Sequence, residues 1–570
     1  MSGLLKKFLC TVMALSMAMP AGAAFADAAT YTPGTYTSVA EGRNGPVIVS
    51  MTFSENAITD VTVDFERETY HVGNIPMELY PAQIVEHQTV NVDIVSGATI
   101  SSVAMLDAVR SCVEKAGGDL SKLQAAIPTT QVAEDCATDV VVVGSGAAGM
   151  TAAIRAAEAG SKVILLEKLD ILGGTSTFSI EAFGATEDRV HAALGNPLTS
   201  EAQYESYCKA NPAGDPAAFR ILADENGKAV NWLYSIGAPL TVTGAGAFVT
   251  SNREAGKMGV TIIGALKQEV KKLGVDVRTG NAATELVMND GAVSGVKVKN
   301  DAGEYTITAK SFVLATGGFG ADNDMVAEYV PALKGYTNSC SIGAKGDGHK
   351  MAVAVGAQLG NMDAYETVRV NFTYGVKGPR VYYMGVLANM GAIVVNKDGK
   401  RFVNDQGGYG VGMKVVEQGG DAWAIFDRSM MESIEEVREY ASLGLFEKAD
   451  TIEELAAKIG VDAAGLAETV ETYKGYVANG KDEEFGRGML NLTFDEAPYY
   501  ACKWRAHVQG TFGGIVTNVD TEVTDANGNA IPGLYAAGEC AFVGTKGANP
   551  MTVDVVFGGI AGTNAANNAK

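Results

Sequence analysis

The chain has 570 residues, 47% of them hydrophobic, with 68 glycines and a formal net charge of -22. At roughly 150 residues per domain, this length predicts three or four structural units. The acidic balance excludes nucleic acid as a partner, because phosphate binding needs a basic surface. Residues 1–26 read as an export signal: Lys6 and Lys7 precede an apolar run from Phe8 to Met19, and Ala24-Phe25-Ala26 offers a small-x-small cleavage site. That run is too short to span a bilayer, and no later stretch offers 18 consecutive apolar residues. The expectation is an exported, soluble mature protein. Beyond Cys10 lie Cys112, Cys136, Cys208, Cys340, Cys502 and Cys540. None forms a C-x-x-C pair and none precedes a histidine, so neither a haem nor a metal site is expected.

Residues 31–122 form a first unit. Val47–Phe53 and Ile58–Val63 alternate as strands do, with turns at Gly34, Gly42 and Gly45. Ala104–Lys115 reads as a helix with Met105, Ala108, Val109 and Cys112 on its apolar face, ending at Gly117-Gly118. Residues 123–137, with Pro128, read as a linker. A larger unit then opens with a buried strand at Val140–Val143, a glycine turn at 144–149 and a helix over Met150–Ala159. A second strand over Ser161–Leu166 is followed by Glu167, which completes a βαβ unit. Further strands are expected at Ser311–Ala315 and Ala392–Asn396, and no repeat of fixed period is present.

Two segments carry the chemistry. In Asp93-Ile94-Val95-Ser96-Gly97-Ala98-Thr99 the small residues leave room for a bulky group at Thr99, and the helix that follows offers N–H groups to a phosphate. This segment and its unit resemble the FMN-binding domain of respiratory sodium pumps and flavoprotein reductases. In that family a D-x-x-S/T-G-A-S/T motif is read by a flavin transferase. The resemblance implies FMN joined by a phosphoester to Thr99, with Asp93, Ser96 and Gly97 serving the motif.

The second segment is Gly144-x-Gly146-x-x-Gly149, between a strand and a helix, with Glu167 ending the next strand. Such glycines let backbone approach a pyrophosphate, the helix dipole adds about half a positive charge, and the acid accepts from a ribose. Gly173-Gly174-Thr175-Ser176, Ala315-Thr316-Gly317-Gly318, Gly346-Asp347-Gly348 and the run Pro532 to Glu539 follow in order. Together these resemble the fumarate reductase and succinate dehydrogenase flavoprotein family. The fold implied is α/β with an α+β part: a Rossmann-like FAD-binding domain over 138–358 and 506–570, with a capping domain inserted over 359–505. The small α+β FMN unit precedes it. Non-covalent FAD would contact Gly144, Gly146, Ala148, Gly149, Glu167, Lys168, Gly174, Thr175, Ser176, Thr316, Gly317, Gly318, Asp347 and Glu539.

Gly391–Asn404 matches the family's G-A-I-V-V-N-x-x-G-x-R-F-x-N, whose arginine the resemblance makes the proton donor, so Arg401 is the expected acid. Other positions depart from the family. Gly385–Met390 replaces a Glu–Arg proton relay, Gln509-Gly510 replaces two histidines, and Pro550 stands where an arginine holds the substrate carboxylate. Each charged hydrogen bond lost removes roughly 1.5–3 kcal/mol, so a dicarboxylate should bind poorly. Tyr365, Tyr382 and Tyr383 are candidates to line a less charged pocket, with Arg369 and Arg380 as displaced anchors; Tyr365 and Arg380 join Arg401 as catalytic expectations. The expected protein is an extracytoplasmic reductase taking electrons from a membrane-linked donor through FMN and FAD to a small acceptor with an activated C=C bond, not fumarate. A sulfoxide acceptor, a dehydrogenase or oxidase, and a non-catalytic electron carrier are the alternatives.

Overall fold

The computed structural model describes residues 30–570 apart from 66–67, 69–71, 96, 128–130, 180–182, 194, 196–197, 243–247, 252–257, 363–367, 378–379, 384–386, 389, 407–408, 443 and 546–547. The expected export signal, Ser96 and Tyr365 lie outside the described residues.

The N-terminal unit is a three-stranded antiparallel sheet of Gly34–Glu41, Pro46–Phe53 and Ile58–Asp64. Alternate residues of the middle strand, Val47, Val49, Met51 and Phe53, face inward because a strand turns its side chains every second residue. Helices Asn74–His87 and Thr99–Lys115 supply the other half of this core. Sequence patterning missed the first of these, which carries Pro81 inside it. The second starts at Thr99, five residues before the expected Ala104. The Ser102 hydroxyl there accepts the Val95 N–H at 3.3 Å, and the Ser102 N–H donates to the Ala98 carbonyl at 2.9 Å. Those local bonds recruit a hydroxyl-rich stretch that propensity alone would leave out.

The second unit is built on a six-stranded sheet. Its order is Asp276–Arg278, Val163–Leu166, Val140–Val143, Ser311–Leu314, Ala530–Ala536 and Glu522–Thr524. All neighbours are parallel except the last pair. Val140–Val143 is buried along its whole length, as a strand covered on both faces must be. The helix after it, Ala147–Glu158, begins three residues before the expected Met150, with Gly146 as its N-cap. It packs closely on the C-terminal helix Pro550–Ala569: a Cβ at Gly558 would lie 2.5 Å from the Ala148 carbonyl oxygen, and one at Gly562 2.1 Å from that of Ala152.

The third unit holds a sheet ordered Arg380–Tyr383, Val368–Lys377, Tyr499–Thr511, Asp421–Asp427 and Ile393–Val395. Its core gathers Phe426, Tyr473 and Trp504, each fully buried. The 13-residue strand Tyr499–Thr511 runs straight through the boundary expected at 505. Hydrogen bonding along a continuous strand leaves no break there for a linker. Among the described residues no helix is long and apolar enough to cross a membrane, and no cluster of His, Cys, Asp and Glu could hold a metal ion.

Candidate cofactor and active site

A groove of about 760 Å³ crosses the carboxyl ends of Val140–Val143 and Ser311–Leu314, where ligands bind in open parallel sheets. Gly144, Gly146, Ala148, Glu167, Lys168, Gly174, Thr175, Ser176, Thr316, Gly317, Asp347 and Glu539, all named from sequence, line it. Gly149 and Gly318 lie beneath instead. A Cβ at Gly149 would stand 1.9 Å from the Gly144 carbonyl oxygen, and one at Gly318 2.1 Å from Thr511 Oγ1. Those glycines allow close packing. Gly317, at φ +71°, has no atom within 4 Å of the position a Cβ would take, so the groove is open beside it.

The groove's polar groups suit a dinucleotide. Helix Ala147–Glu158 points its N-terminus into it, with the positive end of its dipole available to a diphosphate, and its first N–H, that of Ala147, donates to Ser176 Oγ at 3.2 Å. Glu167, 7% exposed, accepts the Ser145 hydroxyl at 2.6 Å and the Leu169 N–H at 2.9 Å. An ionised carboxylate has about four lone-pair sites, which leaves capacity for a ribose hydroxyl. Lys168 pairs with Asp347 at the groove edge. Glu539 accepts the Thr511 N–H at 2.7 Å. Sequence reading missed four polar contributors: Ser145, whose hydroxyl also accepts the Gly173 N–H at 3.1 Å; Asn281; Ser341; and Asp554, which takes a 3.4 Å bond from Ser176. Ser145 sits inside the glycine motif and was findable. Asp554 comes from the distant C-terminal helix and carried no signal.

Thr99 is exposed at the first position of its helix, where a phosphate on its hydroxyl would meet the helix N-terminus. Asp93 is exposed, and its carbonyl accepts the Tyr80 hydroxyl at 2.8 Å. Gly97, at φ +95°, turns the chain before the helix; a Cβ there would lie 2.8 Å from Ile171 Cδ1.

Arg401 is placed otherwise than expected. Its side chain is 2% exposed. Nε and Nη2 donate to Asp405 at 3.0 and 2.7 Å, and Nη2 also donates to Asp482 at 2.8 Å. Arg487 joins Asp405 at 3.2 Å, and the rings of Tyr473 and Phe485 flank the guanidinium. Burial opposes the charge, but Asp482 and Asp405 outweigh it and hold the Arg401 pKa above its already high value. Nη1 is sealed from solvent, with no partner among the described residues. A proton donor must release its proton and be recharged; two carboxylates oppose the first and burial the second. Arg401 is held in a buried ion cluster with Asp405, Asp482 and Arg487, an arrangement that opposes the expected acid role. Arg380 opens strand Arg380–Tyr383, its backbone opposite Lys377, and Arg369 is in register with Gly510.

Comparison with known proteins accords with this geometry. The FAD binding domain family matches residues 139–552, and the FMN-binding domain family matches 42–114. A probable fumarate reductase of Shewanella frigidimarina is 37% identical over 80% of this chain and 78% of its own. A urocanate reductase of Eggerthella lenta is 34% identical over 93% and 92%. The open conformation of a flavocytochrome c3 fumarate reductase superposes with TM-score 0.66 at 36% identity, covering 76% of this chain and 78% of that one. The chain belongs to this family of FAD-binding reductases, with an added FMN-binding domain, and is a flavin-dependent oxidoreductase.

Proposed function

We propose that the chain is an exported reductase that delivers electrons to an activated C=C bond in a small acceptor lacking fumarate's pair of carboxylates. Bound FAD would supply hydride transfer to the alkene, and FMN on Thr99 would receive electrons from a membrane-linked donor. Maturation then requires a flavin transferase acting on Asp93, Ser96, Gly97 and Thr99. The chain's own groups position the cofactor: the helix at Ala147 faces the diphosphate, Glu167 the ribose, and Glu539 the ribityl chain. Tyr365 and Arg380 are the groups assigned to acceptor binding and protonation.

The observation that carries this reading is the pairing of a complete cofactor groove with a dismantled anion clamp. Gly510 and Pro550 offer no cation where dicarboxylate enzymes present one. The relatives act on different alkenes: their names record fumarate, urocanate, acrylate and vinyl phenol. The test is anaerobic reoxidation of the dithionite-reduced protein. Enzyme-like reoxidation by an aromatic or monocarboxylic alkene, with fumarate at least tenfold slower, is the expected result. Fast fumarate turnover overturns the acceptor assignment, and reoxidation by protein partners alone makes the chain a carrier.

A further inference from the structure

Beside the FAD groove lies a second cleft, lined mainly by apolar side chains. Two chain regions build it. Gly97 and Val72 come from the N-terminal unit, and Leu169, Ile171, Phe178 and Ile342 from the second. The two units already touch here: Ile171 belongs to the hydrophobic core of the N-terminal unit, and its Cδ1 fills the space a Gly97 side chain would need. Around the cleft, large apolar side chains stand in water: Phe178 is 41% exposed, Ile342 53%, and Ile94, just before the acceptor, 38%. Exposed apolar groups gathered at a cavity mark a ligand surface more than singly scattered ones do.

We propose that this cleft seats the ring system of the flavin carried on Thr99. This rests on the reading of Thr99 as the FMN acceptor. The occupant follows from tether and chemistry: Gly97 lines the cleft, the exposed Thr99 is two residues on, and a flat, largely apolar tricycle matches the lining. The seat has a consequence. Gly174 and Ser341 line both this cleft and the FAD groove, and the Ser341 N–H donates to Thr175 Oγ1 at 3.1 Å across that wall. With FMN held by the cleft and FAD by the groove, the two-electron, two-proton oxidation of reduced FMN would balance the reduction of oxidised FAD, with protons exchanged through solvent. Ile342 and Phe178 are positioning residues for this junction.

The test uses the full chain expressed with a flavin transferase. Ile342→Cys, with Phe178→Cys as a second reporter, is labelled by a maleimide with Thr99 intact and in the Thr99→Ala background, and read by peptide mass spectrometry. The expected result is at least tenfold slower labelling with flavin attached, while a Val39→Cys control outside the cleft labels equally in both. Equal labelling of both rim reporters overturns the seat. In parallel, Ile342→Arg should keep its FMN and FAD content while electron transfer between the flavins slows at least tenfold; an unchanged rate also overturns it. Intact mass separates the two levels of the argument. If wild type and Thr99→Ala carry the same mass, the acceptor reading fails and the seat falls with it; if wild type alone carries one FMN, the labelling ratio judges the seat by itself.

Discussion

Arg401 owes its surroundings to residues outside its own motif: its partner Asp482 lies 81 residues away. Removing one member of a buried ion cluster leaves uncompensated charge, at a cost of about 3–5 kcal/mol. Arg401→Met should therefore lower unfolding stability by that amount in denaturant titration, with no altered limb in the pH profile of whatever activity survives. Buried titratable groups also set acid sensitivity. Burial lowers the pKa of His349 to about 4; burial, then the nearby Arg505, does the same for His507. Unfolded, each would titrate near 6.5. The unfolded chain thus binds protons first, so stability is complete above about pH 6.5 and falls as pH drops toward 4, by up to about 3 kcal/mol per histidine. Asp482 acts lower. Burial opposes its charge, but Arg401 and the backbone N–H groups of Phe485 and Arg487 overcome this and bring its pKa to about 2. Its contribution is present above pH 4 and lost toward pH 2. Urea unfolding across pH 8 to 3 should show the histidine decline first; flat stability between pH 7 and 4.5 contradicts that assignment.

At the level of elements, the strand–turn–helix at 140–158 was legible because its requirements are local. A Cβ at Gly144 would come 2.2 Å from the Ala315 carbonyl oxygen, so only glycine lets the turn meet the neighbouring strand. Gly149→Ala puts a Cβ against the turn's own backbone and should yield protein with less than about a tenth of wild-type FAD by absorbance after denaturation. Full FAD content would show that the turn can open without cost. Helix limits were less legible. Helix Thr99–Lys115 begins at Thr99 because side-chain bonds of a threonine- and serine-rich stretch favour the structure, while patterning waited for the first apolar stripe. Gly97→Ala tests the adjoining turn: at φ +95° an L side chain is strained by roughly 1–2 kcal/mol, and the methyl would press on Ile171. The variant should melt several degrees lower while its far-UV spectrum stays unchanged.

For the whole molecule, the sequence by itself determined that there are two flavin-binding units, their order along the chain, and a family fold with a third unit inserted. It could do so because nucleotide binding is encoded in short runs whose glycines, caps and strand ends act on their immediate neighbours. Three things were decided only by tertiary structure. Strand Tyr499–Thr511 ties the inserted unit into the rest, Arg401 turns inward to a distant carboxylate, and the Gly97 turn packs on Ile171 so that one thin wall parts two clefts. Each depends on faces far apart in the chain meeting at close-packed distances. Such contacts are set by the summed burial of many side chains, and no local pattern carries them.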